Sequence, residues 1–318
     1  MLHLYARFVS AATVLLIVAG GLVTSTGSGL AVPDWPTSYG WNMFTFPMQH
    51  MVGGIFYEHG HRLIASGVGF LTVVLALWIW KAEPRRWMRV LGFTALAAVC
   101  VQGIIGGITV LYFLPTPVST AHAGRAQIFF CLTVAIALFT SRGWIGPKYE
   151  PVDDRMLRLT ATVTTAFIYL QILVGATMRH SGAGLAIPDF PLIFGGIVPP
   201  EWTPQIAIHF AHRVGALVVT LAIAATVGHV WFHHPRRSEL RGPAMTLACL
   251  VLVQITLGAF VIWSEKNVAI NTAHVAVGAL TLASSLVLTL RSHQVRFSEP
   301  ATVAAGMRRP LTTSEARA

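Results

Sequence analysis

The chain has 318 residues, of which 54% are hydrophobic and 11% charged, with a mean hydropathy of +0.66. That composition excludes an ordinary water-soluble domain and points to a helical protein that crosses a membrane several times. The formal net charge of +10 would suit a nucleic-acid partner, but the basic residues are distributed by membrane topology, so nucleic acid is set aside.

The first apolar run, Phe8 to Val23, has the length of a signal peptide. Only Arg7 and His3 precede it, and its far end enters a motif used twice, so it is read as a retained helix. Eight apolar runs approach the roughly 20 residues that a helical span needs. They lie near 8–25, 61–80, 89–111, 120–140, 158–178, 207–232, 243–263 and 270–290. Seventeen Lys and Arg residues fall in the start, the even connections and the tail, and two, Arg179 and Lys266, fall in the opposite loops. Arg62, Arg125 and Arg213 lie within outer helix ends and are counted apart. The asymmetry predicts that both termini are cytoplasmic, in a multi-pass protein of the cell membrane. Cys100, Cys131 and Cys249 all lie in apolar runs, so neither a disulfide nor a thiolate metal site is expected. Residues 293–318, polar and rich in Ala, Thr and Arg, read as a disordered tail.

The second run opens with Glu58-His59-Gly60-His61-Arg62. On a helix, Glu58 shares a face with His61 and Arg62. Ionisable groups turned inward at a membrane helix end are functional candidates, since keeping them there is costly. The bland alternative, in which Arg62 snorkels to headgroups and His61 bonds a carbonyl, weakens because the pattern recurs.

Gly27-Ser-Gly-Leu-Ala-Val-Pro-Asp-Trp-Pro36 and Gly182-Ala-Gly-Leu-Ala-Ile-Pro-Asp-Phe-Pro191 agree at seven of ten positions. Glu58-His-Gly-His-Arg62 answers His209-Phe-Ala-His-Arg213, Gln102 and Gly106 answer Gln254 and Gly258, and His122 answers His274. The offsets of 155, 151, 152 and 152 are nearly constant. They predict two tandem four-helix bundles, over 1–145 and 146–292. His61 and His122 then open two helices that run in the same direction, as do His212 and His274. Two imidazoles at matched depth across a bundle suit bis-histidine haem ligation, with Arg62, Arg125 and Arg213 placed for propionates. Zinc or copper is the weaker option, because no third strong ligand recurs in both halves.

The halves diverge at specific positions. Glu58 aligns with His209, Arg125 with Val277, and Thr24-Ser25 with Arg179-His180. Only the first half has a carboxylate beside its histidines, and such a group can take a proton or stabilise developing charge.

With its repeated Gly-x-Gly-Leu-x-x-x-Asp-x-Pro loops, Glu-x-x-His-Arg at 58–62 and a histidine opening helices two, four, six and eight, the chain resembles the haem A synthase family over about residues 5–290. The resemblance implies oxidation of the C8 methyl of haem O to a formyl group, giving haem A for terminal oxidases. It implies Glu58 as the acid beside that methyl, His61 and His122 flanking the substrate haem, with Arg62 or Arg125 on its propionates. It implies His212 and His274, with Arg213 nearby, holding a resident haem b. A haem O synthase and a quinone or other membrane acceptor are the implied partners. Some family members carry a cysteine pair in the first outer loop, and this chain has none between Gly27 and Tyr57. Two other readings fit the same residues: a duplicated haem b electron carrier, and an oxidase-assembly protein that handles haem without converting it.

Overall fold

The computed structural model describes residues 1–146, 150 and 152–294 of the chain. The expectation of a disordered tail therefore falls almost entirely outside the described residues. Those residues are all-helical apart from loops and two isolated bridges, Ser38–Trp41 and Ile193–Gly196.

Eight helices are long and apolar enough to span a membrane: α1 (Leu2–Ser25), α2 (Gly54–Ala82), α3 (Arg86–Leu111), α4 (Thr116–Phe139), α6 (Arg155–His180), α7 (Pro204–His233), α8 (Ser238–Trp263) and α9 (Val268–Ser292). A single turn, α5 (Arg142–Ile145), follows α4. Local chemistry explains several starts. Asp154 accepts the Leu157 amide, Thr203 the Ile206 amide, and Asn267 the amides of Ala269 and Ile270, each satisfying donors that a first turn leaves open. Pro204 opens α7 and Pro117 sits in the first turn of α4, where a missing N–H has no cost. Beyond α1 and α6 the chain turns at Gly27 (φ +67°) and Gly182 (φ +74°), left-handed conformations that favour glycine.

Helices α1–α4 pack as a ring in which each touches the next and α4 returns to α1, and α6–α9 do the same. The rings meet through α1 on α9, α4 on α6 and α4 on α9. A large apolar cluster, with Val68, Ile79, Met88, Phe129 and Trp144, fills the end of the first ring far from the long loops. Leu157, Leu240 and Leu288 form its equivalent in the second. Ile17, Phe130, Ala279 and Ala283 seal the seam.

Helices α2 and α7 begin several residues before the apolar runs that announce them, at Gly54 and Pro204 rather than 61 and 207. The polar residues that follow their first turns, Glu58 and His59 in α2 and His209 in α7, stay buried in helix because the preceding loops fold over them. His61, His122, His212 and His274 therefore lie inside their helices, roughly 9–12 Å from the first residue at 1.5 Å per residue.

Candidate functional site

Each ring carries a long loop on one side, and the two loops are built alike. Residues 26–53 turn around Asp34, which accepts hydrogen bonds from the Thr37 hydroxyl (2.5 Å) and the amides of Tyr39 (2.7 Å) and Gly40 (2.9 Å). Partial burial pushes the Asp34 carboxyl upward, but these bonds outweigh it and hold the pKa at about 2. In the second loop Asp189 accepts the amides of Phe194 and Gly195, both at 2.8 Å. The Gly195 amide leads in holding its carboxyl below the ordinary range. Both Trp35–Pro36 and Phe190–Pro191 are cis.

The loops are fastened to the helices by arginines. Arg62 donates to the carbonyls of Asp34 (2.7 Å), Thr37 (3.1 Å) and Val32 (2.8 Å), and to Glu58 Oε1 (2.7 Å). Arg213 donates to Leu192 (2.8 Å), Ile187 (3.1 Å) and Asp189 (2.7 Å). The sequence points both guanidiniums at a ligand's acidic groups. In the structure their forks are occupied by loop carbonyls, because the outward extension of α2 and α7 brings the loops within reach. Arg125, by contrast, is exposed.

Glu58 is buried, 3% exposed. Its Oε1 pairs with Arg62 and its Oε2 accepts the Val32 amide at 2.8 Å. The neighbouring His59 is also buried, bonded through Nδ1 to Ser38 Oγ at 2.9 Å and packed on Phe46.

The four repeated histidines share one construction. A Cβ placed on Gly20 of α1 would lie 3.1 Å from His61 Cε1, and one on Gly106 of α3 would lie 3.0 Å from His122 Cε1. In the second ring Gly175 of α6 faces His212 Cε1 at 2.8 Å and Gly258 of α8 faces His274 Cε1 at 3.3 Å. Each imidazole thus lies edge-on against a glycine of the preceding long helix, and any side chain there would push it inward.

Glutamines one turn before three of these glycines reach the rings. Gln102 Nε2 lies 3.2 and 3.3 Å from the two nitrogens of His122 and donates to its carbonyl at 2.9 Å. Gln171 Nε2 lies 3.0 Å from His212 Nδ1, and Gln254 Nε2 lies 3.3 Å from His274 Nε2. Gln102 and Gln254 stand out in the sequence as members of the repeat. Gln171 does not, because the matching position in α1 is Leu16.

The Nδ1 atoms of His61 and His274, and the Oε1 atoms of Gln102 and Gln254, are buried with no hydrogen-bond partner. Buried polar atoms without partners are rare in native proteins. Here they surround paired imidazoles over glycine cradles, a donor set that fits a planar iron macrocycle held by two histidines. Trp35 closes the first ring from above: a Cβ on Gly107, next to the His122 cradle, would meet its ring at 2.3 Å.

A polar seam joins the rings near these histidines. Arg179 reaches from α6 to α1, donating to the Gly21 carbonyl (2.9 Å) and Ser25 Oγ (2.7 Å), and Ser25 Oγ lies 3.0 Å from Thr272 Oγ1. Thr116 Oγ1 donates to the His180 carbonyl at 3.1 Å.

Among the described residues one further group could hold a metal, at the other end of the bundle. Asp154 Oδ2 lies 2.8 Å from both His229 Nε2 and His234 Nε2. Its other oxygen accepts the Leu157 amide and caps α6.

The family model described as cytochrome oxidase assembly protein matches residues 3–286. Among curated relatives, the Heme A synthase of Geobacillus kaustophilus is 28% identical over 281 residues, 85% of this chain and 84% of that protein. The Heme A synthase of Alkalihalophilus pseudofirmus is 24% identical over 92% of this chain and 99% of its own length. That of Staphylococcus haemolyticus is 28% identical over 88% and 93%.

Proposed function

We propose, from the premise that this chain belongs to the cytochrome oxidase assembly protein family, that it is a haem A synthase, oxidising the C8 methyl of haem O to a formyl group. The observation that carries this reading is the doubled pair of imidazoles, each set against a glycine. Relatives named Heme A synthase that align over most of both lengths support it.

His61 and His122 of the first unit, residues 1–145, flank the substrate haem, and His212 and His274 of the second, residues 146–292, hold a haem b. Bound there, the haem b would supply a one-electron redox centre. Arg125, exposed on α4, is the cation available to a substrate propionate. Arg62 and Arg213 instead hold the two loops closed over their rings. Glu58 stands one helical turn before His61 on the same face and takes a proton as the methyl is oxidised, the electrons passing to a membrane electron acceptor. Arg179 and His180 place fixed polar groups between the two pairs.

The near-constant offsets in sequence, and the equal contacts made by the two loops, support an origin by tandem duplication. The basic residues support cytoplasmic termini in the cell membrane, with the histidines toward the outer face.

The test is co-expression with a haem O synthase, followed by haem extraction and mass analysis. Haem A, or its hydroxylated precursor, is the expected product. Recovery of haem b and unchanged haem O from folded protein would favour an electron carrier or a haem-handling assembly protein.

A further inference from the structure

The four histidines are not held equally. Three have a glutamine one turn before the cradle glycine: Gln102 beside both nitrogens of His122, Gln171 beside His212 Nδ1, and Gln254 beside Nε2 of His274, whose Nδ1 has no partner. At the fourth, the position one turn before Gly20 is Leu16, and among the described residues the His61 ring makes no hydrogen bond and buries Nδ1 without a partner. The substitution is paired. Gln171 packs over Gly215, where a Cβ would lie 2.1 Å from its Oε1, and the residue matching Gly215 in the first ring is Ile64. Leu16 and Ile64 both pack against the apolar cluster of that ring. The glutamine and the space for it have been replaced together by hydrocarbon.

A histidine that binds iron through one nitrogen donates the other N–H to an acceptor, which fixes the ring and raises its basicity. A glutamine amide can present its oxygen to that N–H by turning about its terminal bond, giving up the bonds that Gln102 and Gln171 now donate to the carbonyls of His122 (2.9 Å) and His212 (2.7 Å). The unpartnered Oε1 atoms of Gln102 and Gln254 are available for it. No such acceptor is built for His61.

We propose that His61 is the most readily displaced iron ligand of the four, and that Leu16 and Ile64 make it so by denying its ring the neighbouring glutamine that the other three have. Release of His61 would free a coordination position on the substrate haem while His122 stays attached. The glutamines are positioning residues, and the inference rests on haem occupying the two histidine pairs.

The experiment uses the purified full chain loaded with haem O, reduced and titrated with carbon monoxide, which binds ferrous haem only where an axial ligand yields. Haem content is measured alongside by pyridine haemochrome. In the wild-type protein the haem O is expected to bind carbon monoxide and the haem b of the second ring is not. L16Q/I64G, which transplants the Gln171–Gly215 pair, is expected to weaken carbon monoxide binding about tenfold, in the range that partners of a ligating histidine command. The reciprocal Gln171→Leu is expected to give the haem b a carbon monoxide-binding fraction, so a misfolded double variant would not end the test. Haem O that refuses carbon monoxide, or equal affinity in wild type and both variants, overturns the inference. Haem O binding that survives His122→Ala would instead overturn the assignment of the site itself.

Discussion

Glu58 and His209 occupy equivalent positions in the two rings and accept the same loop amide. Glu58 Oε2 takes the Val32 N–H at 2.8 Å, and His209 Nδ1 takes the Ile187 N–H at 3.2 Å. Val32 and Ile187 are themselves equivalent in the repeat. Latching the loop is thus a task common to both halves, and an acid is not needed for it. What the acid adds is charge, and with it a proton-accepting oxygen.

Glu58→His separates the two roles, since it substitutes the latch of the other half. If Glu58 works as a base, E58H retains the fold and the haem content of the wild type but loses haem A by a factor of 10²–10⁴, the usual reach of general acid–base catalysis. Haem A yield by mass analysis, normalised to bound haem, decides it. Wild-type yield would leave Glu58 as a latch alone.

Arg62→Lys and Arg213→Lys keep the charge and lose the planar fork that serves several carbonyls at once. Each change leaves carbonyls unsatisfied and is expected to cost about 2–4 kcal/mol. Limited proteolysis within 26–53 or 186–203 should accelerate in the matching variant and not in the other.

The first loop should open in acid. Asp34 ionises at about 2 in the folded chain, below the value of about 3.9 for a free aspartate. A depressed folded pKa means that the unfolded loop binds the proton first. The stabilisation is complete above about pH 4 and is lost as pH falls toward 2. Fluorescence of Trp35 and Trp41 followed through that window should report the change, and Asp34→Asn should remove it.

The glycine cradles set a steric test. Gly175→Ala puts a methyl 2.8 Å from His212 Cε1, and Gly106→Ala puts one 3.0 Å from His122 Cε1. Both are expected to displace the imidazole and lower bound haem several-fold, read from the absorption spectrum. Gly60→Ala and Gly67→Ala on α2 meet nothing within 4 Å and should bind haem as the parent does.

Much of this arrangement is legible before any coordinates. Hydropathy marks eight spans, and the repeat pairs His61 with His212 and His122 with His274. What hydropathy cannot see is a helix continuing past its apolar run, because that depends on a loop folding back to cover Glu58 and His59. For the same reason it points Arg62 and Arg213 toward a ligand, when the nearest acceptors prove to be carbonyls of the covering loop. Gln171 escapes notice for a different reason: a repeat reveals only what both copies keep, and its counterpart is Leu16. The signal that finds it is a hydrogen bond.

The packing of the rings has a consequence for how such a chain could arise. Helix α1 corresponds to α6 and α4 to α9 in the repeat, so the α1–α9 and α4–α6 contacts are one contact made twice, and α4–α9 is a helix meeting its own counterpart. That is the pattern of an isologous dimer about a twofold axis. A lone four-helix unit with this seam would pair with a copy of itself, and joining two such copies in one chain would free each to change separately. Arg179 exists on one side only, and its equivalent on the other is Thr24. On the proposed origin by duplication, fusion would let a symmetric pair become two different sites.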